Sequence, residues 1–346
     1  MKKNYDFVYL TNTPSFYKLN LCNAIAKENS VLIVLYGYGS EAVNTILKDS
    51  KEFKFDYYFL HEGNSNKRSK WLVFLKLLKL MQHIKCHKVI YAGWLAFEYN
   101  IYAFLSPKKR NVMVCESSIL DVSFNGLAGI IKKAIINRMG TVLPSGKPHA
   151  QLFKTIGFKG ICHITGSVGI FNKPQRKKKE IHQPLRYLYV GRLIPVKNIT
   201  LLIEEFNLNG KPLTIVGQGY LEETLKGQAK DNIRFTGFID NNKLGDIYQS
   251  HDVFILPSYY EPWGLVVEEA IYWGLPVIVS DKVGSSIDMV KDLGTGIVFK
   301  SKDLNSLHQS LEKTEQNFHS YYRNVEKVDW KERDRRQVEA YTSLLK

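Results

Sequence analysis

Residues 252–281 constrain the fold of this chain more than any other segment. An apolar run at Val253–Leu256 predicts a strand, and a turn ending at Glu261 follows it. The pattern then predicts a helix over about residues 263–274 and a second strand at Val277–Val279. A strand, a helix and a strand of these lengths form a βαβ unit, whose two strands lie parallel in one sheet.

Two acids accompany the predicted helix. Glu261 ends the turn before it, and Glu269 lies eight positions later, within it. In open α/β sheets ligands bind at the carboxyl ends of the strands, and the free N–H groups of a helix start attract an anion such as a diphosphate. A carboxylate further along the helix can accept hydrogen bonds from sugar hydroxyls. We therefore interpret the segment as a nucleotide-sugar site.

The segment resembles the Glu-(seven residues)-Glu signature of the retaining glycosyltransferases of family 4, which have the two-domain GT-B fold. Three more segments resemble donor-domain motifs of that family, in the same order: Tyr189–Asn198, Leu213–Gly219 and Ile233–Phe238. Four motifs in order over roughly residues 186–300 make a specific match. The chain is identified as a member of this family, of the type that builds bacterial cell-surface polysaccharides.

Short apolar runs alternate with helical patterns along the whole chain, which predicts parallel sheets covered on both faces. The expected fold class is α/β: GT-B, two Rossmann-like doubly wound parallel-sheet domains facing a cleft. We expect an acceptor-binding domain at residues 1–168, a linker at 169–182 and a donor-binding domain at 183–319. The resemblance implies that the last helix, within 320–346, packs back on the first domain, and Trp330 is a sensible anchor for it.

Transfer of a sugar from a nucleotide diphosphate requires stabilisation of the departing diphosphate. The chain contains no Asp-x-Asp motif that would hold a metal for this purpose. We expect Arg192 and Lys197, five positions apart in one loop, to do so together with the helix start at Gly264–Leu265, because fixed positive groups stabilise developing negative charge. We expect no metal and no cofactor besides the donor.

The resemblance assigns the remaining donor contacts. Glu269 would bind the ribose hydroxyls and Glu261 the hydroxyls of the transferred sugar. Gly217 and Gly219 would leave room for the donor, although tight turns also require glycine. The backbone at Phe238 would hold the base, and we expect a UDP-sugar rather than a GDP-sugar.

The acceptor side gives fewer signals. Glu116 follows a predicted strand of the first half and is the candidate for holding the acceptor or assisting its deprotonation. It could equally cap a turn or a helix. Retention of anomeric configuration is implied by the resemblance, and a front-face route, in which the leaving phosphate helps to deprotonate the acceptor, needs only positioning and charge stabilisation.

The basic charge of the chain lies in its first half. Residues 1–165 hold 23 Lys and Arg against 10 Asp and Glu, whereas residues 166–346 hold 25 against 23. The segment 66–85 reads as an amphipathic helix with Trp71 near its start, a pattern found both in helices on anionic bilayers and in core helices with a solvated Lys face. The first half is thus predicted to contact an anionic membrane surface and a lipid-linked saccharide acceptor in lipopolysaccharide, O-antigen or capsule assembly.

Three other functions remain open at this point. An epimerase of the same architecture would act on the nucleotide sugar alone, a basic nucleic-acid binder would use the charge of the first half, and a transferase could use a soluble acceptor. Nucleic acid is not an expected partner, because no helix-turn-helix or zinc spacing is present. The four cysteines are scattered, and the sequence shows neither a signal peptide nor an apolar run long enough to cross a membrane. These features predict a cytoplasmic protein. If it binds lipid, we expect it to be peripheral on the inner face of the plasma membrane.

Overall fold

The computed structural model of the chain describes residues 2–12, 14–37, 53–61, 63–119, 122–170 and 173–346. The chain divides into two compact units. The first consists of Met1–Asn172 together with Lys331–Lys346, and the second of Lys173–Trp330. In the described residues, no helix has both the length and the apolar composition that a bilayer crossing requires.

The first unit is built on a seven-stranded parallel sheet with the order β3-β2-β1-β4-β5-β6-β7. Its strands are β1 Lys3–Thr11, β2 Val31–Leu35, β3 Asp56–Phe59, β4 Ile84–Ala92, β5 Asn111–Cys115, β6 Thr141–Pro144 and β7 Ile161–Cys162. Its described helices are Phe16–Ile25, Lys70–His83, Phe97–Leu105, Gly126–Asn137, Lys147–Thr155 and, from the end of the chain, Trp330–Thr342.

Alternate residues of the central strands in this sheet supply two separate hydrophobic cores. Val8 and Leu10 of β1 belong to one core, and Phe7 and Tyr9 belong to the other, because successive side chains of a strand point to opposite faces. Tyr341, near the end of the chain and 1% exposed, completes the second core. The sheet is therefore covered on both faces.

The second unit is built on a six-stranded parallel sheet with the order β10-β9-β8-β11-β12-β13. Its strands are β8 Tyr187–Val190, β9 Leu213–Val216, β10 Ile233–Gly237, β11 Val253–Leu256, β12 Val277–Ser280 and β13 Gly296–Phe299. Its helices are Ile199–Asn209, Glu222–Gln228, Leu244–Gln249, Leu265–Tyr272, Leu304–Gln316 and Phe318–Glu326. The prediction of two Rossmann-like parallel sheets is confirmed.

The helix predicted at residues 66–85 is shorter in the structure, where it spans Lys70–His83. Ser65–Lys67 form a separate 3-10 turn before it. Residues 84 and 85 open β4 and pair with Lys3 and Asn4 of β1. The pairing of β4 with the sheet overrides the helical pattern at this end, since a paired strand satisfies the backbone groups of both residues.

The last helix is held by residues other than the predicted one. Its buried side chains, Gln337 and Tyr341, belong to the first unit, and the Gln337 amide donates to the carbonyl oxygens of Ser167 and Val168 at 3.2 and 2.9 Å. Trp330 lies in the second unit, where its ring meets that of Tyr272 edge to face at 5.7 Å. Trp330 is therefore an anchor within the second unit.

Residues 173–182 of the predicted linker lie in the second unit and contain no helix or strand. They are tied to that unit by polar contacts. The Lys179 ammonium donates to the carbonyl oxygens of Tyr248 and His251, and burial lowers the pKa of Lys179 to about 8. The His182 Nδ1 lies 3.0 Å from an Asp252 oxygen.

Candidate active site

The strand order of the second unit defines where its site lies. The chain adds β9 and β10 on one side of β8 and then places β11, β12 and β13 on the other side. The order therefore reverses between β8 and β11. Loops at the carboxyl ends of two such strands diverge and leave a crevice, in which ligands of open α/β sheets bind. Residues 191–198 and 257–264 are the two loops that border this crevice.

Polar contacts fix these two loops against each other. The Tyr259 N–H donates to the Val196 carbonyl oxygen at 2.8 Å, and the Asn198 side-chain amide donates to the Pro257 carbonyl oxygen at 3.2 Å. Asn198 has a φ of 53°, in the left-handed region that Asn tolerates better than most residues. The crevice is thus bordered by a preformed backbone frame.

Lys197 and Glu261, one from each loop, form an ion pair across the crevice. Their side chains are 13% and 15% exposed, so little water screens the pair. The backbone of Glu261 is held as well, since its N–H donates to the Lys282 carbonyl at 3.2 Å and its carbonyl accepts from the Gly284 N–H at 2.9 Å. Sequence reasoning placed both residues in the site and gave them different ligand partners, but it did not predict that they bind each other.

Arg192 lies exposed at the start of the first loop. Its carbonyl oxygen accepts a hydrogen bond of 3.1 Å from the Tyr189 hydroxyl, which fixes the loop where it leaves β8. Burial, with the nearby Glu261 carboxylate, raises the pKa of Tyr189, so the phenol stays protonated and remains a donor. The Arg192 guanidinium is accordingly presented to solvent by an anchored backbone.

The helix after the second loop begins without a side-chain cap. Gly264 is its N-cap residue with a φ of 90°, and Leu265 is its first residue. A Cβ at Gly264 would lie 3.1 Å from the Val283 Cγ1 in addition to the strained φ, so glycine is required there. Gly264 has no side chain that could cap the helix, and the Val267 N–H donates to the Gly264 carbonyl oxygen at 2.9 Å. The N–H groups of such a helix start attract an anion.

The structure distinguishes the two adjacent acids of this helix. Glu268 is fully buried and accepts a hydrogen bond of 2.5 Å from the Trp263 indole N–H. Glu269 is partly exposed and accepts a hydrogen bond of 3.0 Å from the Tyr248 hydroxyl. Burial, together with the charge of Glu268, raises the pKa of Glu269 to about 7 despite that hydrogen bond. Tyr248 is thus a partner of Glu269 that the sequence pattern did not reveal.

Gly217 and Gly219 have a packing reason to be glycine. A Cβ at Gly217 would lie 1.9 Å from the Gly191 carbonyl oxygen, and one at Gly219 would lie 2.3 Å from the Leu193 carbonyl oxygen. The loop after β9 therefore lies directly on the loop after β8. The Leu193 N–H donates to the Gln218 carbonyl at 2.9 Å across this contact. Because Gly217 and Gly219 have no side chains, the two loops can pack together.

Phe238 follows Gly237, which ends β10 with a φ of 71°. Its side chain is 67% exposed, although a ring of this size is usually buried. The Gly237 carbonyl oxygen accepts from the Gly217 N–H at 2.8 Å, so this strand end adjoins the loop after β9. An exposed ring is thus present where the resemblance places the base.

Two buried hydroxyls near the crevice were missed by sequence reasoning. Ser258 and Ser285 are both 0% exposed, and neither hydroxyl oxygen has a hydrogen-bond partner in the described residues. Ser258 directly follows the Pro257 that Asn198 contacts, and the Ser285 N–H donates to the Trp263 carbonyl at 2.9 Å. Serine in a turn is too common for the sequence to have singled them out.

Glu116 belongs to the first unit, where it follows β5. One carboxylate oxygen lies 3.5 Å from the Tyr17 hydroxyl. The residue also lines a cavity of about 10 Å³, just large enough for one water molecule, together with Lys18, Gln337 and Tyr341. Within the first unit, the carboxylate therefore lines a small cavity whose wall includes the last helix.

The described residues contain no group of three or more His, Cys, Asp or Glu side chains arranged to hold a metal ion. The polar groups at the crevice of the second unit are instead two cations, two partly exposed acids and a helix start. Such a set can bind a phosphate-containing ligand at one end and hydroxyl groups at the other.

Comparison with known proteins agrees with this description. The family described as glycosyl transferases group 1 matches residues 171–328. An uncharacterized glycosyltransferase of Methanocaldococcus jannaschii is 31% identical over 153 residues, covering 41% of this chain and 39% of that protein. The O-antigen chain mannosyltransferase B of Escherichia coli is 32% identical over 119 residues, or 31% of each protein. The chain thus spans about two fifths or less of the length of these two relatives.

Among solved structures, HepE of Anabaena in complex with UDP resembles this chain over its whole length. The TM-score is 0.72, with 15% sequence identity, and the match covers 99% of this chain and 100% of the other. At this identity the similarity establishes the fold, which is that of a two-domain GT-B protein.

Proposed function

We propose that this chain, whose residues 171–328 belong to the glycosyl transferases group 1 family, moves a hexose-type sugar from a nucleotide diphosphate to a hydroxyl of a saccharide acceptor. The observation that carries the proposal is the set of groups at the crevice between β8 and β11. Arg192, Lys197 and the uncapped helix start suit a diphosphate, and Glu261 and Glu269 suit sugar and ribose hydroxyls. The UDP complex of HepE supports UDP as the nucleotide.

The proposed reaction retains the configuration of the anomeric carbon and needs no metal. The bond between that carbon and the diphosphate oxygen breaks, and the acceptor oxygen bonds to the same face. The acceptor proton passes to the leaving phosphate oxygen, with Glu116 as the group that holds or helps to deprotonate the acceptor. Arg192, Lys197 and the N–H groups at Gly264–Leu265 stabilise the charge on the departing diphosphate, the largest contribution in reactions of this type.

Nucleotide binding tests the proposal directly. The melting temperature of the chain should rise with UDP or a UDP-sugar and much less with GDP or ADP, since a ligand that binds only the folded state stabilises it by mass action. The rise should be unchanged by a chelator. It should be smaller in Arg192→Ala, whose exposed side chain can be removed without damage to the core. Differential scanning fluorimetry measures all of these quantities.

Glu204 is an exposed residue of the helix Ile199–Asn209 in the same unit, and the control variant Glu204→Gln should respond like the unmodified chain. If none of the nucleotides raises the melting temperature, the donor site is refuted. A rise that requires a divalent metal would refute the metal-independent mechanism and leave the site in place.

The acceptor is proposed to be lipid-linked, in the assembly of lipopolysaccharide, O-antigen or capsule, and the first unit is proposed to lie on an anionic membrane. The O-antigen mannosyltransferase relative supports the pathway class. The exposed side chains of the first unit support the proposed membrane contact. In the helix Lys70–His83, Trp71, Leu72 and Leu75 are 61%, 61% and 57% exposed, and Lys76 and Lys79 are exposed beside them.

A second helix of that unit repeats the pattern. In Gly126–Asn137, Leu127, Ile130 and Ile131 are 74%, 63% and 52% exposed, and Lys133 is exposed next to them. Isolated exposed apolar side chains are normal, but clusters interleaved with lysine are typical of surfaces that bind anionic bilayers. The inward side chains Val73, Phe74, Leu77 and Met81 fill the core. Phe74 is therefore not part of the outer surface.

Vesicle sedimentation tests the membrane contact. The chain should sediment with vesicles of phosphatidylcholine and phosphatidylglycerol and not with phosphatidylcholine alone. Trp71→Ser with Leu75→Ser should lower the bound fraction several-fold, because apolar burial and lysine attraction act together. Leu208→Ser, which alters a side chain that is 71% exposed in the second unit, is the matched control. Equal binding to both kinds of vesicle, or no loss in the double variant, would refute the contact.

A further inference from the structure

The Lys197–Glu261 ion pair occupies the position where the proposed donor would bind. The Glu261 carboxylate holds the Lys197 ammonium, and both side chains are largely shielded from water. Both backbones are fixed by the contacts of their loops. A diphosphate that reaches Lys197 must therefore share this cation with Glu261 or displace the carboxylate from it. In either case Glu261 loses part of its counter-ion.

The cost of this exchange depends on what the nucleotide carries. A bare nucleoside diphosphate brings negative charge beside a partly buried carboxylate and offers it no hydrogen-bond donor at the sugar end. Such like-charge contacts weaken binding strongly when water is excluded. A sugar attached to the diphosphate brings hydroxyl groups that can donate to Glu261 and replace the lost ammonium contacts.

We propose, on the basis of the proposed function, that Glu261 makes the site discriminate against the bare nucleoside diphosphate and thereby promotes release of this product. Before transfer, the sugar hydroxyls satisfy the Glu261 carboxylate. After transfer the sugar has left, and the carboxylate again competes with the diphosphate for Lys197. The ion pair re-forms as the nucleotide leaves.

The test compares UDP with a UDP-sugar that the unmodified chain binds, by isothermal titration calorimetry. In Glu261→Gln the neutral amide keeps the shape of the side chain but neither repels the diphosphate nor competes for Lys197. We expect UDP to bind Glu261→Gln at least about tenfold more tightly than it binds the unmodified chain. The affinity for the UDP-sugar should increase less than this or should decrease. The ratio of the two dissociation constants should therefore shift toward UDP.

Two controls separate the possible failures. Glu204→Gln removes a charge from an exposed position of the same unit and should leave the ratio unchanged. Inhibition of turnover by added UDP should be stronger in Glu261→Gln. If the unmodified chain binds neither ligand, the proposed function itself fails. If it binds both ligands and Glu261→Gln does not shift the ratio toward UDP, the discrimination by Glu261 is refuted and the donor site stands.

Discussion

Replacing Lys197 with Met should lower kcat/KM for sugar transfer by about 10² to 10³-fold, the range observed when one preorganised group that stabilises a developing anion is removed. Met retains most of the apolar stem and removes only the charged end. The same change leaves the 15%-exposed Glu261 carboxylate without its cation. We therefore also expect a loss of about 2–4 kcal/mol in the free energy of unfolding, since removing one partner of a shielded pair is costly.

A double variant separates these two effects. Lys197→Met with Glu261→Gln no longer contains an unpaired charge, so most of the lost unfolding free energy should return while transfer stays slow. Lys282→Met, which changes a partly exposed lysine in a neighbouring loop, should leave both quantities nearly unchanged. Urea unfolding and steady-state kinetics measure the effects. Recovery of activity in the double variant would show that Lys197 acts only by holding Glu261.

Replacing Glu269 with Gln should stabilise the folded chain at pH 8 and have a much smaller effect at pH 5. Burial raises the pKa of Glu269 from 4.5 to about 7. Between these values the folded state holds a proton that the unfolded state has lost, so this group makes stability fall as pH rises through that window. Above pH 7 the deficit is complete and amounts to about 3 kcal/mol. The neutral amide removes the deficit and can still accept from Tyr248.

The same variant should bind the donor more weakly, by about 10 to 100-fold. Hydroxyl groups of the ribose donate to a carboxylate more strongly than to an amide oxygen. Donor affinity of the unmodified chain should rise as pH increases through about 7, because Glu269 ionises there, and Glu269→Gln should lose this dependence. Lys179 titrates in a similar pH range, with a pKa of about 8. Its contribution is the same in both proteins and cancels when their pH dependences are compared.

Unfolding in urea at pH 5 and pH 8, with titration of the nucleotide sugar at both values, measures these changes. Glu204→Gln serves as the control for loss of one exposed carboxylate. A variant that is destabilised at pH 8, or that binds the donor with the pH dependence of the unmodified chain, would contradict the assignment. Greater stability with weaker binding would show that the carboxylate is retained for its ligand and not for the fold.

The fold could be predicted from the sequence because parallel strands covered on both faces are short, continuous apolar runs. Val253–Leu256 and Val277–Val279 are such runs, and both are strands in the structure. The turn residues also carried information, since Gly264 is required by its φ and by close neighbours. These features are local, so sequence reasoning reaches them.

The contacts within the site could not be predicted, because they depend on loops that are distant in sequence. Lys197 and Glu261 are 64 residues apart, and no pattern in either loop indicates that they pair. The same holds for Tyr248 and Glu269, which are 21 residues apart. Glu269 was assigned by resemblance alone, whereas the structure separates it from the adjacent Glu268, which is bonded to the Trp263 indole.

Exposure was another property that helical periodicity did not determine. Trp71 reads as a core residue by type, and yet it is 61% exposed, with its ring edge to face against Phe97 at 5.8 Å. Trp330 also reads as the residue that fixes the last helix, but Gln337 and Tyr341 are the ones buried in the first unit. Both differences arise because the identity of a neighbouring element decides which side of a helix is covered.

The discontinuity of the first unit limits how genes of this type can exchange parts. A single crossover near residue 172 would transfer the second unit together with residues 331–346. The recipient would then lose its own Tyr341 and Gln337 and would have to fit a foreign helix into the core of a unit that evolved without it. The second unit can therefore be exchanged without the end of the first only through two crossovers, one at each end of residues 173–330.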